Sequence, residues 1–309
     1  MEALQQRETA VFEARRAHLT GLAYRMLGSL AEAQDVVQDA YLRWLQADRE
    51  RVANPHAYLS RTVTRLCLDH LKSGRARHEH YVGPWLPEPV LDHAALAADD
   101  YANDLSMALM LTLERLSPLE RASFLLHDVF DLDFDEVAEA LGRSSASCRQ
   151  LATRARAHVR ASRPRFRPSQ QECERLAAAF GVAAQSGDTH ALAALLAQDV
   201  TFYSDAGGKV PGALRPVVGR DKVMRLIGGL TKKGMEGIRA VRAAQINGAP
   251  GFIFERDSGG VFTLAFDYRD GLIANVYLVI NPDKLRHVHR GRKMSTRRSA
   301  RLTAGTASY

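Results

Sequence analysis

The hydrophobic positions of this chain follow two different periods, and the change falls just past the middle of the sequence. Up to about residue 165, apolar side chains recur every three or four residues, which predicts amphipathic helices. We expect helices over residues 12–27, 31–45 and 55 to about 72, and three more between 117 and 160. Beyond residue 168 the pattern predicts two helices and then strands, in which apolar and polar residues alternate.

The third predicted helix has a charged outer side. It begins at Asn54-Pro55, because proline is favoured at the first helical position, and we expect it to end before Ser73-Gly74. Its outer side carries Arg61, Arg65, Asp69 and Lys72. Such a helix could follow a phosphate backbone and present Thr64 or Asn54 to unstacked bases. A charged, solvated face of a three-helix unit explains the same residues equally well.

Residues 117–160 contain three helix starts in a row. Ser117 with Glu120 and Asp133 with Glu136 have the spacing of capping boxes. Gly142 then interrupts the pattern, and Ser144 or the following Ser145 can cap the next helix. Two short helices joined by a turn containing glycine, the second rich in cations, are typical of a helix-turn-helix.

The last of these helices has one apolar stripe and several polar faces. Cys148, Leu151, Ala155 and Val159 recur at helical spacing, and we expect them to be buried. The other faces carry polar and basic residues, namely Ser147, Arg149, Gln150, Thr153, Arg154, Arg156 and Arg160. Arginine and glutamine near the start of a recognition helix can reach base edges. The alternative is an ordinary amphipathic helix with a solvated basic face.

The distribution of charge favours the nucleic-acid interpretation. The formal net charge is +7, yet residues 92–140 hold twelve acidic and two basic residues, and residues 141–169 hold eight arginines and no acid. A basic helix behind an acidic stretch indicates a local contact with nucleic acid. The three cysteines, Cys67, Cys148 and Cys173, show no metal-ligand spacing. We therefore expect no metal, no cofactor and no disulfide, and, without a signal peptide or membrane span, a cytoplasmic protein.

Residues 81–89 read YVGPWLPEP and cannot form a helix, because three prolines and a glycine force extended or turn geometry. This segment is a linker. A linker that is only solvated has no use for Trp85 and Leu86, so we expect both side chains to dock onto another part of the molecule.

The second half of the chain predicts an α+β cone. We expect helices over residues 172–185, with Leu176, Phe180 and Val182 inward, and from 189 to about 197. Strands are expected over 200–203, 238–246, 252–255, 261–268 and 272–280, and Asn247-Gly248 and Asp270-Gly271 are strong hairpin turns. Two helices followed by a long, curled antiparallel sheet typically surround an apolar pocket.

The helical half resembles the extracytoplasmic-function (ECF) sigma factors of RNA polymerase. The resemblance rests on AEAQDVVQDAYLRWL, PHAYLSRTVTRLCLDHLKS and the helix-turn-helix, and covers about residues 8–165. It implies binding to core RNA polymerase, at the β′ clamp and the β flap, and to promoter DNA, with no membrane. The core-binding residues that it implies are Asp35, Gln38 and Asp39. Those for the −10 element are Asn54, Arg61, Arg65, Asp69 and Lys72. Those for the −35 element are Ser144, Ser147, Arg149, Gln150 and Arg154.

The C-terminal half resembles the SnoaL-like domains of the NTF2-like superfamily, fused as in the SigJ-like group of sigma factors. WLPEP at residues 85–89, SDAGGKV at 204–210 and NPDKL at 281–285 are similar to the marks of that group, although Ala206 replaces a glycine. The resemblance implies that this domain acts in place of a separate anti-sigma protein. The interdomain residues that it implies are Trp85, Leu86, Pro87, Asp205, Gly207, Gly208, Lys209, Asn281, Pro282 and Asp283.

The expected fold is therefore multidomain, with two all-α sigma domains and an α+β SnoaL/NTF2-like cone. We expect region 2 over residues 1–80, a linker over 81–104, region 4 over 105–168, the cone over 169–285 and a basic, disordered tail over 286–309.

The sequence predicts a transcription initiation factor without enzymatic activity. The polar residues Asp205, Lys209, Asp267, Tyr203, Tyr268 and Tyr277 could line a mouth or pocket of the cone, but no acid–base pair is fixed by the sequence. A stand-alone repressor with a ligand-sensing cone, an unknown small molecule in the cone, and a SnoaL-like isomerase remain alternatives.

Overall fold

The computed structural model describes residues 2–48, 52, 54–79, 81–91, 105–162, 168–234 and 237–290. The first part is helical, in two groups joined by the linker. The helices are α1 (Glu2–Leu27), α2 (Leu30–Gln46), α3 (Pro55–Glu79), α4 (Met107–Glu114), α5 (Pro118–Phe124), α6 (Phe134–Leu141) and α7 (Ser145–Ser162). One continuous hydrophobic cluster, from Phe12 in α1 to Val159 in α7, lies between the two groups and unites them.

Helix α3 is longer than the sequence predicts, because it passes through Ser73-Gly74 to Glu79. The hydroxyl of Ser73 donates to the carbonyl of His70 at 2.9 Å, so this side chain is satisfied within the helix. A single glycine costs a helix only about 1 kcal/mol. These two residues therefore do not end it.

The three helix starts between residues 117 and 160 are confirmed. Ser117 with Glu120 and Asp133 with Glu136 form complete capping boxes. The hydroxyl of Ser144 accepts a hydrogen bond from the amide of Ser147 at 3.3 Å, at the start of α7. Between α5 and α6 the chain makes one π-helical turn, Leu125–Val129, which the sequence did not predict.

The predicted apolar stripe of α7 is correct at three positions of four. Cys148, Ala155 and Val159 are buried, but Ala152 takes the place expected for Leu151, which is only half-buried. Ala152 lies one turn after Cys148, whereas Leu151 lies at the edge of the stripe.

The C-terminal part has three helices around a curved sheet. The helices are α8 (Gln170–Ser186), α9 (Thr189–Leu195) and α10 (Arg220–Gly234). The strands are β1 (Leu196–Asp205), β2 (Val217–Val218), β3 (Ile238–Ile246), β4 (Ala249–Arg256), β5 (Val261–Arg269) and β6 (Leu272–Val279). Their order is β2-β1-β6-β5-β4-β3. A short 3₁₀ turn, Pro282–Lys284, and α11 (Arg286–Arg290) follow β6, so the tail expected to be disordered from residue 286 begins as a helix, in which Val288 is buried. The rest of that expected tail, residues 291–309, lies outside the described residues.

Three expectations for the cone were wrong. The sheet is mixed, because β1 runs parallel to β6, with Asp205 opposite Val279. Helix α10 was not expected, since Gly228-Gly229 weakens its helical pattern, yet Val223 and Ile227 are buried one turn apart. Val182 is 65% exposed, because it lies two residues after the buried Phe180 and so points to the other side of α8.

The hairpin turns are confirmed. Asn247 and Gly248 have φ of 51° and 76°, and Asp270 and Gly271 have 53° and 74°, as a type I′ turn requires.

The sheet separates two hydrophobic clusters. The inner one, beneath α8–α10, contains Phe180, Phe202 and Phe266. The outer one contains Leu86 of the linker and Met107 of α4, packed on Tyr277 and Ile253 of the sheet. The outer face of the cone therefore holds both the linker and the second helical group. Among the helices of the described ranges, we find none with the length and hydrophobicity that crossing a membrane requires.

Candidate interdomain and nucleic-acid interface

Asp205 is the centre of the contact between the linker and the cone. It ends β1 and is fully buried. Its Oδ2 accepts hydrogen bonds from the amide of Leu86 and from Nζ of Lys284, both at 2.8 Å, and its Oδ1 accepts one from the hydroxyl of Tyr81 at 2.5 Å. A buried carboxylate needs such partners, because an unpaired one would lose its hydration without compensation. Asp205 is thus bound to the linker.

Lys284 completes this contact from the 3₁₀ turn. Its Nζ also donates to the carbonyl of Leu86 at 2.5 Å and lies 4.3 Å from the ring centre of Trp85. Burial lowers the pKa of Lys284, and the charge of Asp205 opposes that effect. Burial and the bond to Asp205 both raise the pKa of Tyr81. The contact therefore favours a neutral phenol beside a paired lysine and carboxylate. We call Tyr81, Leu86, Asp205 and Lys284 the clasp.

The other end of WLPEP is bound to the start of α2. The carboxylate of Glu88 accepts hydrogen bonds from the hydroxyl of Ser29 and the amide of Leu30, both at 2.8 Å, and from the amide of Ala31 at 3.3 Å. A carboxylate here satisfies free helix N–H groups and complements the helix dipole. The ring of Trp85 lies against Gly28, so closely that a Cβ on Gly28 would approach its Cη2 to 2.2 Å.

Asn247 is an interdomain contact residue that the sequence presented only as a turn residue. It is buried, and its side chain accepts a hydrogen bond from the amide of Val90 at 3.0 Å. Its Nδ2 donates to the hydroxyl of Tyr24 at 2.8 Å and to the carbonyl of Leu105 at 3.0 Å. One amide of the cone thus contacts α1, the linker and the segment before α4. The Asn-Gly hairpin signal located the turn, but nothing local indicated these partners.

The other predicted interdomain residues surround the clasp. Gly207 and Gly208 have φ of 56° and 70°; a Cβ on Gly207 would meet Asn281, and one on Gly208 would meet Val82. The amide of Asn281 donates to the hydroxyl of Tyr81 at 3.0 Å. Lys209 and Asp283 form an exposed pair at 3.6 Å, Pro282 begins the 3₁₀ turn, and Pro87 is buried. Ala206 does not have positive φ, so the lost glycine is not needed there.

The polar residues that could have lined one mouth or pocket of the cone do not lie together. Tyr277 donates to Asp267 and stacks on Tyr203 with ring centres 5.4 Å apart. Tyr203 and Tyr277 belong to the outer cluster, whereas Tyr268 lies in the inner one. Successive residues of a strand point to opposite faces of the sheet, so Tyr268 lies on the face opposite to Asp267. This expectation was wrong.

The predicted core-binding face of α2 is exposed. Asp35, Gln38 and Asp39 point to solvent, and Leu42 on the same side is 50% exposed. The buried side of α2 carries Val36, Val37, Ala40 and Trp44. The structure thus leaves the residues expected to bind polymerase accessible.

Three of the five predicted −10 residues, Asn54, Arg61 and Arg65, lie against the helix-turn-helix. Nε of Arg65 donates to the carbonyl of Ala140 at 3.0 Å and its Nη2 to that of Glu139 at 2.6 Å, while Arg61 pairs with the Glu139 carboxylate. Asn54 caps α3 through the amide of His56 at 3.0 Å, and its Nδ2 lies 3.5 Å from Glu136.

Two further residues of α3, Asp69 and Lys72, form an exposed pair at 3.1 Å. Thr64 was wrong as a base-contacting residue, because it is fully buried and its hydroxyl donates to the carbonyl of Ser60.

The predicted −35 residues lie on the outside of α7. Arg149, Gln150 and Arg154 are exposed, and the guanidinium of Arg149 lies 5.3 Å from the ring centre of Phe134. Ser144 caps the helix and Ser147 is half-buried. The predicted reading face of α7 is therefore open.

Each of the two helical groups matches a known protein family. Residues 11–77 match Sigma-70 region 2, and residues 106–159 match Sigma-70, region 4. The ECF RNA polymerase sigma factor SigJ of Mycobacterium tuberculosis is 43% identical over 90% of this chain and 93% of its own length. The probable ECF RNA polymerase sigma factor SigI of that organism is 31% identical over 90% and 94%.

The likeness extends to the whole architecture. The crystal structure of M. tuberculosis SigJ matches with a TM-score of 0.72 and 39% identity, over 90% of this chain and 98% of that one. Because this similarity covers the two helical groups, the linker and the cone together, the chain belongs to the ECF RNA polymerase sigma factors, with the α+β cone fused at its C-terminal side.

Proposed function

We propose that this sigma factor binds core RNA polymerase through the exposed face of α2, at Asp35, Gln38 and Asp39, with the β′ clamp as its partner. Support comes from the accessibility of these side chains and from the way α2 is held. Glu88 fixes its first turn, and Trp85 packs on the glycine that precedes it. A pre-ordered helix loses less entropy on binding, which favours association.

The two helical groups then direct the polymerase to a promoter of two elements. Arg149, Gln150 and Arg154 of α7 read the −35 element, since arginine and glutamine pair bidentately with guanine and adenine edges. The charged side of α3, with Arg61 and Arg65, engages the −10 element, and the second helical group contacts the β flap. Unstacking of −10 bases costs a few kcal/mol per step, which contacts to the extruded bases offset.

The cone regulates these activities in place of a separate anti-sigma protein. The single observation that carries this proposal is the clasp, in which Asp205 of the cone is bonded to Tyr81, Leu86 and Lys284. The carboxylate of Asp205 binds the linker, and Glu88 of the linker in turn binds Ser29 at the start of α2. A regulatory domain needs this kind of contact, whereas a hydrolase or isomerase needs its acid free to reach substrate. A small molecule in the cone would act by changing this contact.

Transcription from the gene's own upstream region, with purified core polymerase, tests the proposal. Wild-type protein should produce a promoter-specific transcript. An Asp35→Ala, Asp39→Ala variant should lose co-elution with core polymerase, while Asp257→Ala, an exposed acid of the cone, should not. If wild-type protein yields no transcript, fails to co-elute and instead binds duplex DNA tightly alone, the proposal fails and a repressor with a sensing cone replaces it.

A further inference from the structure

We propose that Phe134, at the start of α6, is a positioning residue for promoter recognition, because its ring holds Arg149 of α7 ready to read a base. This rests on the proposed role of α7 in reading the −35 element. The guanidinium of Arg149 lies over the ring of Phe134, with Cζ 5.3 Å from the ring centre. A cation at this distance is attracted by the negative face of an aromatic ring. We call Phe134 and His127, whose ring stacks on it, the platform.

The platform is fixed at both of its residues. Phe134 is the first residue of α6, where the capping box of Asp133 and Glu136 orders the backbone. The ring centre of His127 lies 3.9 Å from that of Phe134, with an interplanar angle of 29°. Nδ1 of His127 donates to the carbonyl of Leu132 at 2.8 Å, because a carbonyl can only accept. Both rings are therefore held in place before DNA binds.

The π-helical turn that the sequence did not predict carries His127. This turn, Leu125–Val129, accommodates one more residue than an α-helical turn, and such turns are frequent at functional sites. The next residue in it, Asp128, pairs through its carboxylate with Nε of Arg156 in α7 at 2.6 Å. Two consecutive residues of the turn thus support α7, one through an ion pair with Arg156 and the other through the platform.

The platform leaves the hydrogen-bonding groups of Arg149 available. Its side chain is exposed, and within the described residues its guanidinium has no hydrogen-bond or ion-pair partner. A guanidinium over a ring is held through its charge and its flat face, whereas its N–H groups point outward in the plane. Those N–H groups bind O6 and N7 of guanine bidentately. An arginine that is already ordered loses less entropy on binding, so the platform favours this contact.

Arg154 offers a comparison on the same helix. It is also exposed, but no aromatic ring lies beneath it in the part of the helix-turn-helix that the structure describes. The start of α7 meets the start of α6, since the hydroxyl of Ser145 donates to the carboxylate of Asp135. Residues near the start of a recognition helix are the ones that reach base edges. The platform therefore supports the arginine at the base-reading end of α7.

The test removes the aromatic face and keeps an apolar side chain, in Phe134→Leu. Holoenzyme formed with the full chain is titrated, by fluorescence anisotropy, against a promoter duplex and against duplexes with single base-pair changes in the −35 element. We expect the affinity for the promoter to fall about twofold to fivefold, the effect of an exposed cation–π contact. Discrimination should be lost at the base pair that Arg149→Ala also ceases to distinguish, and at no other. Phe134→Tyr retains an aromatic face and should bind like the wild type.

A double-mutant cycle separates positioning from packing. Phe134→Leu should have no further effect in an Arg149→Ala background and its full effect in an Arg154→Ala background. Leu141→Val, half-buried at the other end of α6, controls for lost packing and should leave base discrimination unchanged.

Two outcomes would overturn the platform: no effect of Phe134→Leu in the wild type, or an equal effect with and without Arg149. If Arg149→Ala itself leaves −35 binding unchanged, the assignment of Arg149 to the −35 element is what fails, and the platform fails with it.

Discussion

Two surfaces of this sigma factor are expected to read DNA, and the structure treats them in opposite ways. Arg149 and Arg154 of α7 face solvent, whereas Arg61 and Arg65 of α3 are bonded to α6. Both helices are amphipathic and basic on their outer side, so they look alike in sequence. The difference arises because the last turn of a neighbouring helix offers α3 free carbonyls. The contrast teaches that a basic face becomes accessible or masked according to what the fold places against it.

The largest expected effect comes from opening the clasp. Asp205→Asn removes the charge that accompanies the buried Lys284, and loss of one partner of a buried ion pair costs about 3–5 kcal/mol. The variant should lose stability in urea and become sensitive to protease within residues 81–91. Asp283→Asn, in an exposed pair, is the control and should change stability by less than about 1 kcal/mol. Equal losses in the two variants would contradict the role of the clasp.

A smaller effect is expected where the ring of Trp85 packs against Gly28. Gly28→Ala places a Cβ 2.2 Å from Cη2 of the indole, on a backbone with φ of 70°. Left-handed strain of about 1–2 kcal/mol and crowding of about 1–3 kcal/mol should both destabilise the protein, as measured by urea unfolding.

Gly187→Ala is the matched control, because its φ is 71° and nothing lies within 4 Å of the added carbon. It should show the strain without the crowding, and it should not increase cleavage of the linker. If the two variants lose equal stability, the ring of Trp85 does not pack against Gly28 in solution.

The open face of α7 gives the third prediction. Arg149→Ala and Arg154→Ala should each weaken binding of the holoenzyme to the −35 element by about 1–3 kcal/mol, because a base or phosphate contact is lost. Single-stranded −10 binding by the free protein should not change. Arg175→Ala, an exposed arginine of α8, should have no effect on either measurement. A similar loss in Arg175→Ala would mean that only net charge matters.

The smallest effect concerns the start of α6. Asp133→Ala removes the side chain that accepts from the amides of Asp135 and Glu136 at 2.9 and 2.8 Å, and should cost about 1 kcal/mol in thermal unfolding. Asp188→Ala removes an equivalent cap from α9 in the cone. Both variants should lose similar stability, but only Asp133→Ala should raise −10 binding, because only α6 covers α3. Equal −10 binding in the two would weaken the contrast between the surfaces.

The sequence predicted some local features of the fold correctly and missed others. The capping boxes at Ser117 and Asp133 and the turns at Asn247 and Asp270 depend on neighbouring residues, and the structure has them where the sequence predicted. Helix α10 was missed because its pair of glycines hides a stripe that packing makes stable. Tyr268 was grouped with Tyr277, although alternation along β5 puts Tyr268 on the face opposite to Ala265, the residue that pairs with Tyr277.

The sequence by itself determined the helical and strand periods, the positions of caps and turns, and the family resemblance. These depend on side chains within a few residues of one another along the chain. Tertiary structure alone decided that Asp205 pairs with Lys284, that Asn247 joins three segments, and that Arg65 binds the end of α6. Such partners lie 75 to 223 residues apart. Their pairing follows from burial and from the accounting of every buried polar group, which becomes defined only when the chain is folded.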